Sequence, residues 1–321
     1  MPEIIAVTRD DVRHVFPCPE STFVLDAAEA AGLYLPSVCR HGRCGTCWAQ
    51  VVSGKFDLAP YYTTTALPPA PGSVLLCRCK PRENLTVHLP CRDAQIGRRH
   101  IPERRAVIEA VTPLGAGWVA LTLRLVPDPQ YGQEAVFTPG QYMELSLPGT
   151  AERHALAMAN RPNDAGWLEF LLPEGVLAGA RRGAEMVLRG PLGSFMLDEM
   201  SPRPRCLVGE GGGLAPLLAM LRHLADLRDR TRLQLIFVAE PAMLPFLEKS
   251  LAPLRGGLPQ LMVTLVPGLG DAAAGLAAHL AKVPGSGIYA CGSLQLLGLV
   301  ADVASAHGVP AANIRAEPAL V

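Results

Sequence analysis

Five cysteines fall close together in the first quarter of this 321-residue chain. Cys39-Arg40-His41-Gly42-Arg43-Cys44-Gly45-Thr46-Cys47 reads C-x4-C-x2-C, and two more follow in Leu75-Leu76-Cys77-Arg78-Cys79. Four thiolates can hold a pair of sulfide-bridged irons, and this spacing with a distant fourth cysteine is the plant-type [2Fe-2S] pattern. Cys39, Cys44, Cys47 and Cys77 are the expected ligands, with Cys79 competing for the fourth position. Gly42 and Gly45 give a small-residue loop in which backbone N–H groups can approach sulfur. A zinc site from Cys44, Cys47, Cys77 and Cys79 has enough thiolates, but its C-x-C half is unusual and leaves Cys39 unused. A thioredoxin-like Cys44–Cys47 pair would need its own βαβ setting, and a Rieske centre would need a second histidine beyond His41. Cys18, Cys91 and Cys206 have no partner spacing and read as buried or incidental thiols.

The elements that position these residues can be bounded from composition. The length predicts two or three compact units. Half the residues are apolar (49%) and 18% are charged, which excludes a disordered chain. No apolar run reaches the ~18 residues of a membrane-spanning helix, so no membrane insertion is expected. Lys+Arg and Asp+Glu both total 29, which removes the basic field that drives nucleic-acid binding. The first residues, MPEIIAVTRDDVRHV, have acidic groups where a secretory signal carries a basic patch. With clustered, odd-numbered cysteines, this predicts a reducing cytoplasm.

The character of the chain changes twice. Residues 1–92 hold short strand-like runs (Ile4 to Val7, Trp48 to Val52, Leu85 to Leu89) and one helical stretch, Val24 to Ala31, predicting a small α+β unit. Residues 93–102, with Arg98-Arg99-His100, read as a solvated linker. Residues 103–200 give strand after strand between Gly and Pro turns, predicting a β-barrel. Residues 201–321 alternate strands (Cys206 to Val208, Leu233 to Val238, Leu261 to Val266, Ile288 to Ala290) with helices, predicting a parallel α/β sheet.

Three further motifs complete the pattern: Gly190-Pro191-Leu192-Gly193-Ser194-Phe195, Gly211-Gly212-Gly213-Leu214-Ala215-Pro216 and Cys291-Gly292. Cys206 to Val208 running into the Gly211–Gly213 turn and a helix is a strand–turn–helix start of the kind that receives a pyrophosphate. Glu240, after the next strand, is placed to accept a ribose hydroxyl, which would favour NADH over NADPH; a solvated loop glutamate is the plain alternative.

Taken in order, these motifs resemble the reductase components of bacterial multicomponent oxygenases, such as the soluble methane and phenol monooxygenase reductases, over nearly the whole chain. The resemblance implies a β-grasp [2Fe-2S] ferredoxin domain, a six-stranded antiparallel FAD-binding barrel and a parallel-sheet NAD-binding domain. It implies electron flow from NADH through FAD and the cluster to an oxygenase or hydroxylase partner. A hydride donor and a one-electron centre need a flavin between them. The family's R-x-Y-S flavin motif, matched through Ala159-Asn160, falls on His154, Leu156 and Ala157, with Arg153 one residue early. Gly190, Gly193 and Ser194 are implied at the flavin, Gly211, Gly212 and Gly213 at the dinucleotide, and Cys291 beside the nicotinamide as the catalytic-site cysteine. The family has glycine and threonine where Glu210 and Gly212 stand, a Gly- and Ser-containing stretch where Leu172–Leu177 is shortened, and in many members a terminal aromatic. These differences leave a second reading, a ferredoxin-like carrier or accessory component with degenerate FAD or NAD sites. Arg40, His41 and Arg43 border the cysteine loop as a possible rim for an acidic partner.

Overall fold

The computed structural model describes residues 1–37, 40, 42, 45–60, 72–97, 101–150, 152–177, 179–199 and 201–319. The chain divides into two compact units, Met1–His100 and Ile101–Val321.

In the amino-terminal unit, β1 (Glu3–Val7) alternates so that Ile4 and Ala6 are buried, the signature of a strand with one face on a core. It pairs antiparallel with β2 (Arg13–Pro17). The helix α1 (Val24–Ala30) turns Val24, Leu25, Ala27 and Ala28 inward. Then come β3 (Trp48–Ser53), β4 (Phe56–Leu58), β5 (Ser73–Leu75), β6 (Cys79–Pro81) and β7 (Leu85–His88). Among the described residues the main sheet has the order β2-β1-β7-β3-β5, with β1 and β7 parallel, and β4 pairs with β6 alongside it. A mixed sheet curled around one helix is the β-grasp arrangement. The stretch expected to be a solvated linker begins inside this unit. Ile96 is buried, Asp93 accepts from or pairs with His14 at 2.9 Å, and Tyr34 and Gly97 exchange backbone bonds.

The second unit opens with β8 (Glu103–Gly115), β9 (Trp118–Leu125), β10 (Tyr142–Ser146), β11 (His154–Ala157), β12 (Trp167–Pro173) and β13 (Glu185–Leu192). These form an antiparallel sheet in the order β11-β10-β13-β8-β9-β12. Met158 bridges Phe170, and Ala159 N–H donates to the Glu169 carbonyl at 2.7 Å, so the outer strands meet and the sheet closes. Ile108, Leu123, Leu145, Leu168 and Phe170 fill the interior.

The parallel sheet follows: β14 (Arg205–Glu210), α2 (Leu214–Asp226), β15 (Leu233–Val238), α3 (Leu244–Leu251), β16 (Leu261–Val266), α4 (Leu269–Lys282), β17 (Gly287–Gly292), α5 (Leu294–Ala306) and β18 (Ile314–Pro318). Its order is β16-β15-β14-β17-β18, with every neighbouring pair parallel. β14 and β17 are buried along almost their whole length because helices cover both faces. One core, with Leu207, Leu217 and Phe237, also takes in Ala159, Leu171 and Phe195 from the barrel side. Arg222 of α2 reinforces that seam, donating to the Ala159 carbonyl at 2.9 Å and to Glu169 at 2.6 Å. The second core, with Val208, Ile236, Leu276 and Leu296, lies across the sheet.

Arg205 anchors the start of β14. It is 2% exposed and donates to Asp229 (3.1 Å), Thr231 (2.6 Å) and the carbonyls of Asp198 and Ser201. Removing one partner of a buried ion pair leaves the other charge uncompensated. Arg205→Ala should therefore destabilise the second unit by about 3 kcal/mol in urea denaturation; a loss below about 1 kcal/mol would show that the pair is not structural.

Candidate functional site

The cysteine site is built by strand pairing. β3 and β5 match Trp48 with Leu75, and just beyond this pair the Leu76 N–H donates to the Cys47 carbonyl at 2.9 Å. Cys47 and Cys77 are thereby brought to neighbouring strand ends, both buried, at 5% and 3% exposure. The Leu25 N–H of α1 holds the same segment through the Leu76 carbonyl. Gly42 (φ +78°) and Gly45 (φ +72°) take left-handed conformations, and the Gly45 carbonyl accepts from Trp48 N–H. Cys39 and Cys44 lie outside the described residues, as do His41 and Arg43. Arg40 is described, and its guanidinium is engaged by Asp26 at 3.1 Å and Glu29 at 2.6 Å.

Cys79 is placed differently. It sits in β6 opposite Leu58, fully buried in the core that also holds Cys18. Burial, with Cys18 adding to it, pushes the Cys79 thiol up to about 12, and burial pushes Cys18 up to about 11. Among the described residues, no three His, Cys, Asp or Glu side chains form another metal site. The thiols of Cys47 and Cys77, at adjacent strand ends, fit two of the four ligands of an iron–sulfur cluster. Cys77→Ser should abolish the visible absorption of the cluster while Cys79→Ser retains it; the reverse result would transfer the fourth ligand to Cys79.

The second site lies where strand order reverses. β15 and β16 lie to one side of β14 and β17 and β18 to the other, so the carboxyl ends of β14 and β17 flank a topological switch point, the usual ligand position in an open parallel sheet. After β14, Gly211–Gly213 form a single 3-10 turn into α2, with Gly211 at φ +51°. A Cβ on Gly213 would stand 2.0 Å from the Cys291 carbonyl, so only glycine allows the two turns to meet. The Leu214 N–H is taken up by the Gly211 and Gly212 carbonyls, and the glycine turn sets the positive end of the α2 dipole at the crevice, which fits a pyrophosphate. Glu240 is exposed just beyond β15, at the same end of the sheet.

Barrel and parallel sheet share a cavity of about 10 Å³, lined by Gly140, Ala157, Leu171, Phe195, Gly212, Pro216, Cys291, Glu317, Pro318 and Ala319. That is room for a single water. The structure therefore brings Ala157, Gly212 and Cys291 together. Leu156 goes elsewhere: alternation along β11 sends it, 1% exposed, into the barrel core, so its expected place against the flavin is corrected to a packing role. His154, on the same face as Leu156, keeps an accessible ring with Nε2 3.5 Å from Glu152. Arg153 is exposed, near Glu103 at 3.2 Å and Glu144 at 3.6 Å. The Gly190–Gly193 turn ends β13, where a Cβ on Gly193 would meet the Tyr142 ring at 2.9 Å, and Ser194 is exposed after it. Exposed Arg153 and Ser194, with half-buried His154, are polar groups suited to a flavin nucleotide, so the barrel fits one.

Two groups dominate the cavity chemically, the buried Cys291 and the half-buried Glu317. Cys291 pairs with Glu317 in the β17–β18 register. Burial, then the Glu317 carboxylate, drives the Cys291 thiol well above its ordinary range, so it is a neutral thiol. Burial pushes the Glu317 carboxyl up to about 8. The sequence reading did not single out Glu317; an acid inside the Ile314–Pro318 strand was the available signal.

A cysteine-bearing β-grasp unit, a closed antiparallel barrel and a parallel sheet define an iron–sulfur, flavin and pyridine-nucleotide reductase architecture. Residues 7–82 match the family model described as the 2Fe-2S iron-sulfur cluster binding domain. The chain is 30% identical over 318 residues to the propane 2-monooxygenase reductase component of Mycolicibacterium goodii, covering 91% of this chain and 90% of that protein. It is 36% identical over 220 residues to the corresponding component of Rhodococcus jostii, spanning 58% of that protein's length. It is 35% identical over 225 residues to methane monooxygenase component C of Methylosinus trichosporium, covering 66% of this chain and 65% of that protein. The fold is that of the Amycolatopsis cytochrome P450 reductase GcoB (TM-score 0.73, 23% identity, 98% of each chain). It is likewise that of the ferredoxin reductase in carbazole 1,9a-dioxygenase (TM-score 0.71, 20% identity, 99% of this chain and 98% of that one). The chain belongs to the family of reductase components of multicomponent oxygenases.

The raised Glu317 carboxyl predicts a pH dependence. Its folded-state value, about 8, lies above the ordinary 4.5. Between these the folded chain holds a proton that the unfolded chain has lost, so stability present below about pH 4.5 is lost as pH rises toward 8. Relative to Glu317→Gln, the native protein should lose a few kcal/mol across that interval in denaturant titrations; parallel pH curves would show that Glu317 is ionised in the fold.

Proposed function

We propose that this chain is an NADH-dependent reductase that passes electrons through FAD and a [2Fe-2S] cluster to the oxygenase component of a multicomponent system in the cytoplasm. The observation that carries the reading is the pairing, in one chain, of buried Cys47 and Cys77 with a barrel and parallel sheet meeting at Ala157, Gly212 and Cys291. No nucleic acid or membrane insertion enters this reading, and among the described residues no helix is long and apolar enough to cross a membrane. The ferredoxin domain takes in residues 93–97 as well as 1–92, since Ile96 sits in its core, with 103–200 the flavin barrel and 201–321 the nucleotide domain.

When bound, FAD supplies the conversion between a hydride and single electrons, and the cluster supplies a one-electron carrier. The chain's own residues set the conditions. Cys39, Cys44, Cys47 and Cys77 hold the irons. Arg153 would supply a cationic group to the flavin phosphates, His154 on the opposite face would act apart from it, and Ser194 with the backbone of Gly190 and Gly193 would line the ring. Ala157 leaves space at the seam without contributing a hydroxyl. Gly211, Gly212 and Gly213 admit the dinucleotide pyrophosphate to the start of α2, and Glu240 accepts the adenosine ribose hydroxyls, disfavouring a 2′-phosphate. Cys291, as a neutral thiol, packs beside the nicotinamide without competing for hydride.

Anaerobic addition of NADH to the purified protein tests this reading. Flavin and cluster absorption should both bleach. A cluster spectrum unaffected by NADH would instead establish the carrier reading, with the dinucleotide sites lost.

A further inference from the structure

The carboxyl ends of β14 and β17 are joined by one side chain. Glu210, the last residue of β14, reaches over the switch point, where its Oε1 accepts from the Ser293 N–H at 2.9 Å. Ser293 is the N-cap of α5 and uses its own hydroxyl to accept from Leu296 N–H. Gly292 makes this path possible, because a Cβ there would lie 2.9 Å from Glu210 Cγ. The carboxylate therefore takes up the helix-terminal position of α5 that an external anion would otherwise find.

Apart from the head of α5, no cationic side chain close in the chain balances that charge. Neither residues 209–217 nor residues 291–297 include a lysine, arginine or histidine. Among the described residues no cationic side chain pairs with Glu210. The other acid of the crevice, Glu317, is half-buried, and desolvation raises its carboxyl toward the neutral form. A pyrophosphate at the Gly211–Gly213 turn would be attracted by the α2 dipole and backbone N–H groups alone, with Glu210 immediately before that turn. Pro216, inside the first turn of α2, withholds one N–H from the set.

We propose that Glu210 is an affinity-setting residue of the dinucleotide crevice: fixed across the switch point by Ser293, its carboxylate repels the pyrophosphate and keeps NAD⁺ loosely held. The inference rests on the dinucleotide reading given above and adds a direction to it. Charge at this position weakens binding of both oxidised and reduced dinucleotide, so product leaves readily and the crevice discriminates against ligands with additional phosphate close to this turn. Like charges a few ångströms apart in a partly solvated site interact by an amount equivalent to about tenfold in affinity.

The test uses full-length protein carrying its flavin and cluster. Glu210→Gln keeps an oxygen to accept from Ser293 N–H and removes only the charge. Binding of NAD⁺ and of ADP-ribose is measured by calorimetry, which needs no turnover, at low and high KCl. The variant should bind both ligands about tenfold more tightly at low salt. The advantage should shrink as KCl approaches 1 M, where charges are screened beyond about 3 Å. Equal affinities at low salt would overturn the proposal. Weaker binding by the variant would also overturn it and would make Glu210 an acceptor for a ligand hydroxyl. If neither protein binds either ligand, the dinucleotide reading itself falls and takes the proposal with it, an outcome distinct from the other two.

Discussion

Sulfur kept from water governs the amino-terminal unit. A thiol can be buried as a small apolar group, but a thiolate in a dry core is prohibitively unstable unless a cation neutralises it. Cys47 and Cys77 are buried at adjacent strand ends and tied by a main-chain hydrogen bond from Leu76 to Cys47. Iron resolves the conflict, since it converts buried thiolates into ligands and makes the loop geometry favourable. Gly42 and Gly45 adopt left-handed conformations, and α1 grips the Leu76 carbonyl. Both arrangements serve a chain that must pass closely around its ligands.

The second unit is governed by a seam of small residues. Gly140, Ala157, Gly212 and Ala319 meet where barrel and sheet share a core, and bulk is excluded there almost to the volume of a water. Polar groups at this seam are few and separately controlled. Glu317 is held neutral by burial, Cys291 is held as a thiol, and Glu210 is tied to an amide at the head of α5. Charge is therefore present at the crevice in one place and suppressed in two others. An electron-transfer protein gains from this arrangement because hydride and electrons move without a compensating ionisation of the surrounding side chains.

Much of the fold was legible because its elements are strongly periodic. The central parallel strands are largely apolar, most of the barrel strands alternate, and the C-x4-C-x2-C spacing admits few chemistries. What escaped did so for physical reasons. α4 starts from Gly268 without a side-chain cap, so its first residue was not marked, although Ala272, Leu276 and Leu280 give it a buried stripe. Asp93 and Ile96 looked like part of a solvated connector until His14, Asp10 and the core supplied partners more than sixty residues away. Leu156 matched a flavin position by alignment, but one residue of strand register separates a ring-facing side chain from a core one. The destination of Glu210 depends on Ser293, 83 residues later, and no local pattern encodes it. Nor does any local pattern pair Arg40 with Asp26 and Glu29, which α1 presents to it.

The account stands on thiolate-bound iron in the amino-terminal unit. Iron and acid-labile sulfide, quantified per chain in anaerobically purified full-length protein, test it most directly. The account predicts the equal iron and sulfide content of a 2Fe-2S cluster, with the signal present in wild-type protein and absent in Cys47→Ser. Zinc in place of iron, or iron without labile sulfide, would contradict it.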